Sequence, residues 1–111
     1  MKIANTPDPP YYAVIFTNLL NNDSEGYSEM GELIESLVIN QDGYLGHESV
    51  RDGMGITVSY WDSLESIKKW KMNSEHLLAQ KMGREKWYTH FKTRICKVES
   101  DYEFDSNFGV I

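Results

Sequence analysis

The first regular pattern begins at Tyr11, after an extended arm over residues 1–10 that holds all three prolines, Pro7, Pro9 and Pro10. From Tyr11 to Leu20 both alternating sets are apolar, with Tyr11, Ala13, Ile15 and Leu19 on one side and Tyr12, Val14, Phe16 and Leu20 on the other. Successive strand side chains point to opposite faces, so this segment reads as a strand covered on both sides. Asn21-Asn22-Asp23-Ser24 then supplies turn and capping side chains. Tyr27, Met30, Leu33, Ile34, Leu37 and Val38 follow at helical spacing until Gln41-Asp42-Gly43 stops them. Tyr44 to Val50 and Ile56 to Trp61 are two short strands flanking Arg51-Asp52-Gly53-Met54-Gly55, whose Asp-Gly step favours a hairpin because both positions tolerate positive φ.

Asp62 with Glu65 three residues on forms a capping-box pattern and opens a helix with Leu64, Ile67 and Trp70 on its inner face. A second cap is expected at Ser74, so His76 to about Lys86 reads as a further helix or a bent continuation. Tyr88 to Val98 is the last strand, and residues 100–111 form an acidic, aromatic-bearing tail. One folded unit over residues 11–99 is implied, of the α+β class. Its order of strand, helix, two strands, helix and strand is the ferredoxin-like arrangement, a four-stranded antiparallel sheet with helices on one face. The opposite face would expose Ile56, Val58 and Tyr60 to water, which predicts a homodimer that buries it.

Composition narrows the function classes. With 111 residues, 41% apolar and 25% charged positions, the chain is one domain able to build a core. Eleven basic against seventeen acidic residues, a net charge of −6, oppose binding to nucleic acid or an anionic membrane. No apolar run is long enough to span a bilayer and the first residues lack a signal-peptide pattern, so a cytoplasmic location is the expectation. Cys96 is the single cysteine, which removes an internal disulfide, and the histidines His47, His76 and His90 have no metal-ligand spacing.

Several stretches then become recognisable: Tyr44-Leu45-Gly46, Glu48-Ser49-Val50-Arg51-Asp52-Gly53, Ile56 through Glu65, Trp70, Glu75-His76, Gln80 and Gly83 through Tyr88. Over roughly Tyr11 to Glu99 the chain resembles the antibiotic biosynthesis monooxygenase family. That resemblance implies a dimeric α+β barrel of ferredoxin-like subunits. It also implies a monooxygenase that uses O2 on a small aromatic substrate, a phenol or quinol, with no dedicated cofactor. Haem, bound or degraded, is the alternative, as is a non-catalytic dimeric module for a small aromatic ligand. The haem-degrading branch is similar at Asn18 and Trp70, yet the position of its proximal histidine is occupied here by Gln80, leaving His76 as the nearest imidazole.

The candidate residues carry bland readings as well. Asn18 interrupts an apolar strand and needs a hydrogen-bond partner, either a substrate oxygen or the following turn. Trp70 continues the stripe of Leu64 and Ile67 and serves as core anchor or as pocket wall. His76, placed near an expected helix start, would be held neutral and so able to act as base or ligand; a solvated histidine is the plain alternative. These three are the catalytic candidates. Phe16, Tyr60, Gln80, Arg84 and Trp87 are the substrate-binding candidates, with Arg84, Trp87 and Tyr88 read either as a lid over an acidic ligand group or as packing of the helix-to-strand corner.

Overall fold

The computed structural model describes residues 2–80 and 86–110, with residues 75–80 described by their backbone alone. Its elements are β1 (Tyr11–Leu20), α1 (Tyr27–Val38), β2 (Tyr44–Asp52), β3 (Met54–Trp61), α2 (Leu64–Gln80) and β4 (Tyr88–Val98). A small hairpin of β5 (Phe104–Asp105) and β6 (Gly109–Val110) follows, where the sequence pattern defined no element. The main sheet has the order β2-β3-β1-β4 and every neighbouring pair is antiparallel. This is the ferredoxin-like α+β architecture expected from the order of elements.

The central strand decides which residues face the helices. Tyr12, Val14, Phe16 and Asn18 of β1 stand opposite Trp61, Ser59, Thr57 and Gly55 of β3. The same register carries the face into Tyr44, His47, Ser49 and Arg51 of β2 and into Lys97, Ile95, Thr93 and Phe91 of β4. At the Trp61 end lies the core: Trp61 has no exposed surface and packs with Val38, Ile67, Tyr12, Val14, Tyr44 and Trp70. Its ring stacks on Trp70 at 6.4 Å between centroids and meets Tyr44 edge-on at 5.6 Å. A buried indole N–H needs an acceptor, and Trp61 Nε1 donates to Ser59 Oγ at 2.9 Å.

Local chemistry sets the helix ends. Ser63, not Asp62, caps α2: its Oγ accepts from the Ser66 backbone N–H at 3.1 Å, while Asp62 accepts from the Ser66 hydroxyl at 2.9 Å. No second cap forms at Ser74, whose hydroxyl instead bonds back to the Lys71 carbonyl at 3.2 Å, and α2 runs unbroken to Gln80. Gly43, after α1, holds φ at 82°, and a Cβ there would run into Asp62 and Ser66.

The face away from the helices is covered at one end by the arm and tail. Ala4 N–H donates to Glu48 at 2.9 Å, Thr6 Oγ1 to the Tyr11 hydroxyl at 3.1 Å, and the Tyr11 hydroxyl to Asp101 at 2.5 Å. Tyr60 donates to the other Glu48 oxygen at 2.6 Å and meets Tyr11 edge-on. Burial first, then the Glu48 carboxylate, pushes the Tyr60 phenol up to about 12. Beyond that strap the face is open, with Val50, Met54 and Leu19 exposed.

Two consequences are measurable. Gly43→Ala combines a disfavoured φ with overlap, costs about 2 kcal/mol and lowers the melting temperature by roughly 8 °C; an unchanged melting curve would contradict the tight turn. The folded state also favours the neutral Tyr60 phenol, so this contribution is complete below the ordinary value of 10.0 and is lost as pH climbs toward about 12. Urea midpoints of wild type should therefore fall more steeply over that window than those of Tyr60→Phe, whereas parallel curves would show that the Tyr60–Glu48 bond adds nothing.

Candidate functional site

The middle of the helix-facing side is built from small hydroxyl residues where a closed core would carry branched aliphatics. Ser49, Thr57, Ser59 and Thr93 stand there, Ser49 and Thr57 sharing a hydrogen bond at 3.0 Å. Val14, Phe16, Thr57 and Ser59 are only half-buried, with Ile95 half-exposed beside them, so this stretch of the face is not closed over by the helices. This partly open stretch, the helix-side cleft, ends at the row formed by Arg51, Gly55, Asn18 and Phe91.

Asn18 is 3% exposed, the one buried polar residue among the described side chains. It does not bond to the Asn21-Asn22 turn. Its Nδ2 donates to the Gly55 carbonyl over a long 3.4 Å, and its Oδ1 accepts from Arg51 Nη2 at 2.5 Å. Arg51 Nη2 also donates to the Tyr27 hydroxyl at 3.2 Å, and its guanidinium carbon lies 5.6 Å from the centre of the Tyr27 ring. The missing side chain of Gly55 makes room for this, since a Cβ there would fall within the Arg51 guanidinium. Aromatic rings wall the group: Phe16 meets Tyr88 at 5.6 Å and Phe91 at 5.7 Å, while Tyr27 meets Tyr88 at 5.8 Å and Trp87 at 5.9 Å. Burial, followed by the neighbouring Tyr27, drives the Tyr88 phenol far above the ordinary tyrosine range, and Arg51 pulls the other way. Tyr88 is therefore a neutral hydrogen-bonding group at physiological pH.

The sequence candidates separate on this frame. Asn18 and Phe16 stand at the cleft's end, and Trp87 is buried behind Tyr27 with its Nε1 donating to the Glu25 carbonyl at 2.8 Å, as the corner packing required. Trp70 is stacked on Trp61, which lies six β3 residues, or about 20 Å, from the Gly55 opposite Asn18. Trp70 therefore belongs to the core end of the face. Tyr60 lies on the opposite face of the sheet, bonded to Glu48, and is not part of the cleft. The backbone of His76 falls inside the later turns of α2, so the expected helix-start effect on its imidazole does not arise. The side chains of His76 and Gln80, and Arg84 altogether, lie outside the described residues.

Arg51, Tyr27 and Gly55 were not among those candidates. Residues 51–55 read as a loop, whereas Arg51 pairs with Gly55 and Asp52 with Met54 inside the ladder. Carrying the alternation of Trp61, Ser59 and Thr57 two residues further places Gly55 and its partner Arg51 on the helix side.

Another depression, about 230 Å³ in volume, is lined by Gln41, Asp42, Lys69, Met72 and Asn73 beside the α1–β2 turn. It has no aromatic wall. Among the described residues no group of three His, Cys, Asp or Glu side chains is placed to hold a metal ion. Haem would need an axial ligand at a slot for the ring. His47 is bonded to Tyr44 and lies 3.6 Å from Glu35, His90 is on the face away from the helices, and Trp70 fills the core, so the described side chains do not form such a site. No described helix is long and apolar enough to cross a membrane.

No family model matches the chain. SnoaB, a cofactor-independent oxygenase from Streptomyces nogalater, has the same fold, with a TM-score of 0.68 at 8% identity over 84% of this chain and 97% of its own. A protein of Nitrosomonas europaea provisionally assigned as an antibiotic biosynthesis monooxygenase gives 0.61 at 9% identity, over 86% and 94% respectively. These likenesses establish an antibiotic-biosynthesis-monooxygenase-type fold. In sequence the chain is 46% identical over 107 residues to the uncharacterized protein YqjZ of Bacillus subtilis (strain 168), covering 95% of this chain and 94% of that one. At that identity and coverage, the chain belongs to the family of YqjZ.

Proposed function

We propose that the chain is a monooxygenase that uses O2 on a small phenol or quinol without a dedicated cofactor, in the helix-side cleft, and that it works as a homodimer. The observation that carries this reading is the buried Asn18 amide at the end of an aromatic-walled cleft, in a fold shared with a cofactor-independent oxygenase. Only one Asn18 amide hydrogen is engaged among the described residues, and that bond is long, so the other is the donor for a substrate oxygen.

Electron counting shows why no redox cofactor is required. When a phenol is oxidised to a quinone, one atom of O2 forms the new C=O bond. The other leaves as water with the phenolic and ring hydrogens, and the substrate supplies all four electrons. The protein's work is to remove the phenolic proton, hold the resulting oxyanion and keep water from the reacting carbon. Asn18 holds the oxyanion, the ring cluster of Phe16, Tyr88 and Phe91 excludes water, and His76 on α2 takes the proton. The exposed Val50, Met54 and Leu19 on the opposite face are the surface that a second copy covers.

Oxygen uptake with 1,4-naphthohydroquinone, corrected for autoxidation, is the first assay. Asn18→Ala is expected to lower it at least about tenfold with the circular dichroism spectrum retained, and the isosteric Asn18→Asp to lower it too, because a carboxylate repels the oxyanion. His76→Gln should lose about a hundredfold near neutral pH and recover as the pH passes the quinol's own ionisation. Uptake equal to wild type in all three variants would overturn the assignment. Light scattering should give twice the chain mass; a monomer at micromolar concentration would remove the dimer from the proposal.

A further inference from the structure

Arg51 is exposed, yet three features fix its guanidinium in place. Its Nη2 is fixed by two partners, Asn18 and Tyr27; it lies over a residue without a side chain; and its guanidinium sits beside an aromatic ring. Among the described residues no carboxylate lies within ion-pair distance of it, in a chain where acidic groups outnumber basic ones seventeen to eleven. Its neighbours Asn18, Tyr27 and Tyr88 are polar and uncharged. Nη2 is committed, while Nη1 and Nε have no partner among the described residues. A guanidinium held by neutral groups, with donors to spare and no counter-charge, is arranged for an anionic oxygen brought by a ligand.

We propose that Arg51 is the anion anchor of the cleft and that the ligand is a planar aromatic acid, carrying a carboxylate on or next to its ring. The proposal rests on the helix-side cleft being the ligand site, and it names the substrate class there. The aromatic wall of Phe16, Tyr88 and Phe91 takes the ring, and Arg51 takes the carboxylate. The net charge of −6 disfavours polyanions, so a singly charged acid fits where a nucleotide or polyphosphate does not. Nothing in this arrangement requires turnover: it concerns binding and orientation.

The test is a titration by calorimetry with 1-hydroxy-2-naphthoate and with its neutral counterpart 1-hydroxy-2-naphthamide. Wild type should bind the acid about tenfold or more tightly than the amide. Arg51→Leu also frees the Asn18 amide oxygen, so affinity for both ligands can fall, but the acid should lose about tenfold more than the amide, which abolishes the preference. Gly55→Ala keeps the charge but displaces the guanidinium, and it should cut acid affinity in the same direction. Arg51→Lys, a cation without the planar fork, should restore only part of the preference. A preference for the phenolate over the carboxylate is read from 1-naphthol above and below its ionisation; if only the ionised naphthol responds to Arg51, the carboxylate assignment is overturned. Equal affinity for acid and amide, or equal loss of both in Arg51→Leu, overturns the anchor itself. Acid binding through Arg51 with no oxygen uptake on any phenol would sink the oxygenase reading and leave the anchor standing. Uptake without acid preference would do the reverse.

Discussion

β1 is hydrogen-bonded on both sides, to β3 and to β4, and only its even-numbered residues face the helices. Everything specific about the molecule follows from that parity. It directs Tyr12 and Val14 into the core around Trp61, and four residues further along it sends Asn18 into the same face at the other end. A slip of one residue would turn Asn18 toward the opposite face and leave its amide without Gly55 and Arg51. An unpaired buried amide costs about 1 to 3 kcal/mol, which is a large part of what a domain of this size has in reserve. The Asn18 row is therefore held by the same pairing that builds the sheet.

The helix-facing side divides into two kinds of surface. At one end aromatic rings and aliphatics pack around Trp61, whose buried indole nitrogen is satisfied by Ser59. At the other end the floor is hydroxyls and a guanidinium beneath aromatic edges. Stability is concentrated in the first, and the proposed recognition in the second. Keeping them apart by about 20 Å lets the site hold a polar, incompletely bonded amide without weakening the core.

Most of the architecture was legible in the chain because it depends on local periodicity. The double apolar alternation of β1, the helical spacing of Tyr27 to Val38 and the Asp-Gly turn gave the element order and thus the fold. Asn18 also stood out, as an amide among apolar neighbours. What the chain did not reveal depends on pairing between distant segments. The partners of Asn18 come from Gly55 and Arg51, 37 and 33 residues away; the β3 alternation gives their face, but not that they meet Asn18 across the sheet. Tyr60 as a substrate-binding candidate conflicts with its own parity with Ile56 and Val58, which sets it on the face away from the helices, where it bonds to Glu48. Trp70 was read both as wall and as core, and its stacking on Trp61 sets it in the core. His76 lost its helix-start environment because Ser74 bonds back to Lys71 rather than capping a new helix.

The central claim is that the Asn18–Arg51 pair, and not the groove beside Gln41 and Asn73, is where a ligand meets this protein. Side-chain NMR of uniformly labelled protein during addition of 1-hydroxy-2-naphthoate tests it directly, by following the Asn18 amide, the Arg51 Nε–H and the Trp61 indole N–H in one experiment. The account predicts that the Asn18 and Arg51 signals move together and saturate with a single affinity while the Trp61 signal stays in place. Saturable shifts confined to Gln41, Lys69 and Asn73, with Asn18 and Arg51 unmoved, would contradict it.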